Sequence, residues 1–154
     1  MAGFEMKAVV KTVKELELIS DIIFLHNEIW NHSTGIIDLL KNSTQCFVLF
    51  GEKRNVIGYA FIAEDRQRGF VEIQDIVVAP DCRQQGGGKL LINAIMDVYE
   101  EIKLIAQVQN EPLMKFYMNL GFQQDYLIEN YYEIGQDGVR MSWKRENQSP
   151  FSTD

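Results

Sequence analysis

Residues 77–91 read VVAPDCRQQGGGKLL, and they carry more information about this chain than any other stretch. An apolar run ends at Pro80, a basic residue and three glycines follow, and apolar residues at helical spacing come next. Glycines let an anion approach the backbone closely. The first N–H groups of a helix have no partners within the helix and lie at the positive end of its dipole. The stretch therefore predicts a turn that binds a phosphate or diphosphate group.

Two common phosphate-binding motifs do not fit these residues. A P-loop needs a serine or threonine hydroxyl after its lysine, but Leu90 stands at that place. The dinucleotide fingerprint is met at Gly86 and Gly88 but fails at Leu91. The sequence therefore disfavours both Walker-type nucleotide hydrolysis and a Rossmann site.

Two blocks of sequence point to a different ligand. Residues 83–88 (RQQGGG) follow the pattern Arg-x-x-Gly-x-Gly, and residues 110–122 (NEPLMKFYMNLGF) follow Asn-x6-Tyr-x3-Gly-Phe. Together they resemble the acyl-CoA diphosphate loop and the downstream signature of the GNAT superfamily of N-acetyltransferases. The resemblance covers about residues 6–144 and is sharp over residues 71–122. Gly87 departs from the pattern, because relatives usually carry a bulky residue there.

Composition agrees with one compact domain, expected over residues 1–145, followed by a polar, disordered tail at 146–154. A chain of 154 residues, 46% of them apolar, can form one core. It contains no apolar run of about 20 residues and no signal peptide pattern at the N-terminus, so we expect a soluble, cytoplasmic protein with no membrane partner. The net charge of −7 argues against nucleic acid as a partner.

Cysteine and histidine usage predicts neither disulfides nor a metal site. Cys46 and Cys82 are too few for a disulfide framework and are expected as free thiols. His26 and His32 lie six residues apart, so they do not share a helix face, and no Cys/His ligand cluster accompanies them.

The alternation of apolar and polar residues predicts an α/β fold. The strand at 70–78 and the strand at 103–108 are expected to be parallel, because a helix connects them. The sheet is expected to be mixed: an antiparallel meander, then β-α-β-α and a closing hairpin, with helices on both faces, which is the GNAT order. The predicted elements are a strand at 6–13, helices at 14–31 and 36–40, strands at 46–51, 56–63 and 70–78, a helix at 86–101, a strand at 103–108, a helix after Asn110, and a hairpin of 122–132 with 139–144.

The resemblance also implies where acetyl-CoA, the expected co-substrate, would bind. The two parallel strands would splay apart at their C-terminal ends, and the pantetheine arm would lie in the gap. There it would supply partners for backbone groups of the first strand that would otherwise stay unpaired. The cofactor-binding residues implied in this way are Ile76, Val77, Val78, Arg83, Gln84, Gln85, Gly86, Gly87, Gly88, Lys89, Asn110 and Phe116. For Asn110, a plain helix-capping role is the alternative.

Catalytic roles follow from the same resemblance. Tyr117 stands where the superfamily places a general acid beside the thioester sulfur, although an aromatic core residue is the usual meaning of such a position. Glu72 lies eleven residues before Arg83, the spacing at which histone acetyltransferases place their catalytic glutamate. Gln74 and Asp75 are rivals for the base, because residues 74–78 (QDIVV) look like the Glu-Asp-Ile-Ala-Val run of glucosamine-6-phosphate N-acetyltransferases. Residues 130–132 (NYY) are similar to the acceptor-side loop of ribosomal-protein N-terminal acetyltransferases.

We therefore expect an N-acetyltransferase in which a neutral primary amine attacks acetyl-CoA directly in a ternary complex. No acyl-enzyme is expected, because neither cysteine falls near the proposed thioester. The acceptor, a small molecule or a protein N-terminus or lysine, stays open, and a homodimer is expected by resemblance only. The alternative is a catalytically silent acyl-CoA-binding module or sensor.

Overall fold

The computed structural model describes residues 7–11, 16–30, 34–83 and 85–148. Within these ranges the chain forms seven β-strands and four α-helices. Single turns of 3₁₀-helix occupy Pro80–Cys82 and Arg145–Asn147. The order of elements is β1 (Lys7–Lys11), α1 (Leu16–Trp30), α2 (Thr34–Asn42), β2 (Gln45–Phe50), β3 (Val56–Asp65), β4 (Phe70–Val78), α3 (Gly87–Val98), β5 (Glu101–Gln107), α4 (Glu111–Asn119), β6 (Gln123–Glu133) and β7 (Gln136–Lys144).

The strands form one mixed sheet in the order β1-β2-β3-β4-β5-β7-β6. Strands β1 to β4 pair antiparallel, β4 and β5 pair parallel across the α3 crossover, and β6–β7 closes the sheet as an antiparallel hairpin. This confirms the predicted α/β class and the predicted mixed sheet. The predicted tail falls mostly on residues 149–154, which lie outside the described residues. Among the helices that the structure describes, none has the length and apolar character needed to cross a membrane.

Helices cover both faces of the sheet. Helix α1 lies on the face that bears Tyr59, because His26 of α1 contacts the hydroxyl of that tyrosine. Tyr99, at the end of α3, packs its ring against Phe47, which pairs with Ala60. Since neighbouring residues of a strand point to opposite faces, α3 lies on the face away from α1.

Helix α3 differs from its prediction at its C-terminal end. It ends at Val98 rather than residue 101, because the backbone of Tyr99 is extended, with φ −117° and ψ 149°, and leads directly into β5. The helical spacing of Leu91, Ala94, Ile95 and Val98 predicts the apolar stripe of this helix, but Val98 is 56% exposed. The buried side chains are Leu91, Ile92 and Ile95, and the stripe continues to Tyr99, which keeps the spacing of one helix face.

Strands β4 and β5 separate soon after they begin. They pair only at Val71 with Ile102 and at Glu72 with Lys103, although β4 continues to Val78. Along the same stretch β4 stays paired with β3, and a β-bulge interrupts that register, since Phe61 pairs with Asp75 and Ile62 with Ile73. The structure thus confirms the expected splay. The C-terminal ends of β4 and β5 lead into α3 and α4, so both helix N-termini lie at the open end of the gap.

Candidate functional site

The glycine turn forms the start of α3. Gly86 has left-handed backbone dihedrals, with φ 86° and ψ 8°, a conformation that favours glycine. The N–H of Leu90 donates to the Gly86 carbonyl at 3.0 Å, so the N–H groups of residues 87–89 precede that bond. No side chain caps this helix within the described residues. The helix start therefore offers backbone donors to an anion, as the sequence predicts.

Arg83 ties this turn to the end of β4. Its Nε donates to the carbonyl oxygen of Val78 at 3.0 Å, and the side chain is otherwise exposed. That bond uses one of the five N–H donors of the guanidinium. Lys89 and Gln85 are exposed at the same turn, whereas the predicted residue Gln84 lies outside the described residues. Arg83 and Lys89 thus place positive charge at the turn, and the hydrogen bond to Val78 fixes the arginine side chain.

Close packing of α3 on α4 depends on Gly88. A Cβ added there would lie 3.3 Å from Cζ of Phe116, so the glycine lets the phenylalanine ring approach the α3 backbone. Asn110 begins α4 as its N-cap: its Oδ1 accepts a hydrogen bond from the N–H of Leu113 at 3.1 Å. The capping role of Asn110 is therefore confirmed, and its contact with the cofactor stays a prediction.

Tyr117 is buried in α4, with 5% of its surface exposed. Its ring packs edge-on against Phe116 and Phe122, at centroid distances of 5.3 Å and 5.5 Å. Burial, and to a smaller extent the charges of Tyr132 and Asp75, raise the pKa of the Tyr117 phenol. The group is therefore protonated at neutral pH, as a proton donor must be.

A cavity of about 340 Å³ opens on the face of the sheet that carries α1 and α2. It lies between α2, strands β4 and β5, and the β6–β7 hairpin. Its polar and aromatic lining includes Asp38, Asn42, Glu72, Gln74, Tyr131 and Tyr132. Ser43, just after α2, donates a hydrogen bond to Oε1 of Gln74 at 3.3 Å. The cavity is therefore acidic and aromatic, which suits a cationic amine.

The predicted base Glu72 lines this cavity, but it forms an ion pair with Arg140 of β7. The arginine side chain is 14% exposed and the glutamate side chain 33%. The carboxylate of Glu72 is therefore engaged in a charge-assisted hydrogen bond at the cavity wall. The sequence could not indicate this pair, because it forms only when β7 pairs with β5 in the observed register, in which Arg140 lies opposite Ile105.

The tyrosines of the cavity are positioned by a distortion of the β6–β7 hairpin. Asn130 has a positive φ of 54°, donates its N–H to Asp137 Oδ1 at 2.8 Å and accepts from Gly135 N–H at 2.7 Å. The connection between the two strands is shorter than predicted, since β6 ends at residue 133 and β7 begins at residue 136. Because Gly138 has no Cβ, Tyr131 packs tightly over it: a Cβ at that glycine would lie 3.0 Å from the Cβ of Tyr131.

Neither cysteine has the properties of a nucleophile. Cys46 is 1% exposed, and burial together with the charge of Asp75 raises its pKa to about 12. Burial and the neighbouring Asp81 also raise the pKa of Cys82. Both thiols are free and protonated at neutral pH. Among the described residues no cluster of three metal-ligating side chains is found.

From the sequence alone, His26 is a candidate only for a metal or acid-base site. The structure places its buried ring against Tyr59 and near Asp75, in a chain of polar contacts beneath the β4 bulge. The sequence signal for this polar contact is the position of His26 on the apolar face of α1, beside the buried residues Ile22 and Leu25.

Comparisons with known proteins agree with this geometry. Residues 12–122 match the profile of the Acetyltransferase (GNAT) family. An uncharacterized N-acetyltransferase of Methanocaldococcus jannaschii is 29% identical over 108 residues, which are 66% of this chain and 68% of that protein. An N-alpha-acetyltransferase of Sulfurisphaera tokodaii is 33% identical over 76 residues, and the match spans 46% of each chain.

A solved structure extends the likeness to the whole fold. The spermidine N-acetyltransferase of Vibrio cholerae, in a mutant form, superposes with a TM-score of 0.74 at 20% identity and covers 97% of this chain and 98% of its own. At that identity the likeness concerns the fold alone. The profile match spans well over half of the chain. The chain therefore belongs to the Acetyltransferase (GNAT) family and is an acyltransferase of the N-acetyltransferase type.

Proposed function

We propose that the protein transfers an acetyl group from acetyl-CoA to a primary amine by direct attack within a ternary complex. One observation carries this proposal. The β4–β5 gap opens beyond Glu72 and Lys103, and both helices that begin at its open end present N-termini to it. Ligands of α/β sheets bind at the carboxyl ends of such strands.

Acetyl-CoA is assigned to this gap from its chemistry. The N–H groups at the start of α3 would bind the diphosphate, with Arg83 and Lys89 adding positive charge. The backbone of residues 76–78 has no β5 partner, and the amides of the pantetheine arm can pair with it as an added strand does. The acetyl thioester would then lie deeper in the gap, toward Tyr117.

The chemical step follows from a protonated, buried phenol near the thioester. The neutral amine attacks the carbonyl carbon, forming the N–C bond, and the tetrahedral intermediate expels the CoA thiolate as the C–S bond breaks. Tyr117 donates its proton to the thiolate and recovers one from the nitrogen of the intermediate. The high pKa values of Cys46 and Cys82 support direct attack over a cysteine acyl-enzyme.

The acceptor is assigned to the 340 Å³ cavity. Asp38 supplies negative charge there, Glu72 offsets the charge of Arg140, and Tyr131 and Tyr132 supply aromatic faces, so an ammonium group is the matching ligand. The relative named as an N-alpha-acetyltransferase makes a free peptide N-terminus one of the acceptors to test first.

The test is an acceptor screen with acetyl-CoA supplied. The panel holds a polyamine, an amino sugar, a lysine-containing peptide, and peptide amides with a free α-amino group. We expect release of CoA thiol together with a mass gain of one acetyl group on at least one amine. Initial rates at varied concentrations of both substrates should give intersecting double-reciprocal lines, as a ternary complex requires. Tight acetyl-CoA binding without turnover on the whole panel would instead identify a silent binding module.

A further inference from the structure

A chain of three polar side chains joins α1 to the interior of the sheet. The hydroxyl of Tyr59 donates a hydrogen bond to Oδ2 of Asp75 at 3.0 Å, and Nδ1 of His26 lies 2.8 Å from the same hydroxyl. His26 Nδ1 and Asp75 Oδ2 are 3.6 Å apart. Because a phenol has one hydrogen, the consistent arrangement has the imidazole donating to the phenol and the phenol donating to the carboxylate.

The three side chains of this polar cluster are almost completely buried. His26 is 3% exposed, Tyr59 is completely buried, and the Asp75 side chain is 13% exposed. Buried polar groups of this kind are costly unless they are fully hydrogen-bonded, and when satisfied they fix one geometry. Asp75 thus accepts a hydrogen bond from a completely buried phenol, while part of its own side chain stays accessible.

Asp75 occupies a special place on β4. Gln74 is the extra residue of the bulge, since Asp75 pairs with Phe61 while Ile73 pairs with Ile62. Both Asp75 and Gln74 lie beyond the last β5 partner of β4, in the splayed part of the strand. Bulges re-aim side chains and are common beside active sites. Asp75 lies on the sheet face of Tyr59, which is the face of the acceptor cavity.

The charge of Asp75 acts on the proposed proton donor. Its charge helps to raise the pKa of Tyr117, although that tyrosine belongs to α4, and Tyr132 of the cavity wall acts on the same phenol. The hydroxyl of Tyr132 in turn donates to the carbonyl oxygen of Ile105 at 3.3 Å. Gln74, the residue before Asp75, lines the cavity together with Tyr132, so the bulge lies at the cavity wall.

We propose that Asp75, oriented by Tyr59 and His26, is the base that takes the proton from the acceptor's ammonium group. This inference rests on the proposed function. In the step, an N–H bond of the ammonium breaks, an O–H bond forms on the carboxylate, and the electron pair stays on nitrogen for attack on the thioester. Asp75 then releases this proton to solvent, while the second amine proton reaches the CoA thiolate through Tyr117.

Asp75 suits this role better than Glu72. The carboxylate of Glu72 is held in an ion pair with the guanidinium of Arg140, whereas the carboxylate of Asp75 accepts a hydrogen bond from the buried phenol of Tyr59. Glu72 then offsets the positive charge of Arg140 beside the cavity, so that the guanidinium does not repel the ammonium group. Tyr59 and His26 are positioning residues.

Three variants test the assignment: Asp75→Asn, Tyr59→Phe and Glu72→Gln, assayed with the amine that the wild-type enzyme acetylates fastest. Asp75→Asn should lower kcat by about 10²- to 10⁴-fold, with CoA affinity and the unfolding midpoint close to wild type. Tyr59→Phe should lower kcat by about tenfold at unchanged KM for the amine, since the carboxylate remains but loses its orienting donor. Glu72→Gln should mainly raise that KM.

The outcomes separate this inference from the proposed function. If Asp75→Asn folds and keeps kcat within about twofold, or if Glu72→Gln alone lowers kcat, the assignment is wrong while the acetyltransferase stands. If the wild-type enzyme acetylates no amine of the panel, both proposals fall. Should Asp75→Asn not fold, Tyr59→Phe decides the matter, because it deletes one oxygen atom and keeps the ring. An unchanged kcat in that variant would overturn the inference.

Discussion

Replacing Tyr117 with phenylalanine removes a single oxygen atom at the proposed reaction centre. The ring contacts with Phe116 and Phe122, at 5.3 Å and 5.5 Å, are retained. Within the described part of the chain, no hydrogen bond from this hydroxyl to the protein is found. We therefore expect the unfolding free energy to change by less than about 1 kcal/mol. Because the proton donor is lost, kcat should fall by about a hundredfold, which corresponds to about 2.7 kcal/mol of barrier.

Release of CoA thiol measures turnover, calorimetric titration measures CoA affinity, and urea unfolding measures stability. Tyr99→Phe is the matched control. Burial and a hydrogen bond to Glu64 at 2.9 Å also raise the pKa of Tyr99, but that tyrosine lies at the far end of α3. The control should lose about 1 kcal/mol of stability and keep its turnover. A Tyr117→Phe variant that turns over at the wild-type rate, or whose loss of activity merely follows a loss of folding, would refute the role of Tyr117 as proton donor.

Three further outcomes follow from the geometry. Asn110→Ala should destabilise the protein by about 1 kcal/mol in urea unfolding, because the N–H of Leu113 loses its cap; an unchanged midpoint would contradict the capping role. The pKa of Cys46 is raised from 9.0 to about 12 in the folded state, so above about pH 9 only the unfolded chain loses this proton and stability falls by up to about 1.4 kcal/mol per pH unit. In Cys46→Ala the slope of unfolding free energy against pH should be shallower between about pH 9 and pH 11, and an identical slope would refute the linkage. Gly138→Ala should displace Tyr131, whose Cβ would lie 3.0 Å from the new methyl group, and raise the KM for the amine without changing CoA affinity; equal effects on both would place the damage elsewhere.

Local patterns were sufficient to predict most of the fold. The strand at 70–78 was predicted with the bounds that the structure shows, since a proline and the glycine turn end it. The start of α4 was predicted from Asn110 as a capping residue, and the structure shows that cap. Features of this kind depend on a few adjacent residues, so the sequence displays them directly.

Contacts between distant strands were not predictable in this way. The pairing of Glu72 with Arg140 joins residues of β4 and β7, and the chain from His26 through Tyr59 to Asp75 joins α1, β3 and β4. Each depends on register and on one β-bulge, and a shift of one residue would turn the side chains to the other face. The choice between Glu72 and Asp75 as base therefore needed the tertiary structure.

The central claim is that the diphosphate of acetyl-CoA binds to the backbone at the start of α3. A crystal structure of the complex tests it most directly. We predict diphosphate oxygens within about 2.7–3.2 Å of backbone nitrogens among residues 86–89, with the thioester directed toward Tyr117. A diphosphate bound elsewhere, with the N–H groups of this turn facing solvent, would contradict the account.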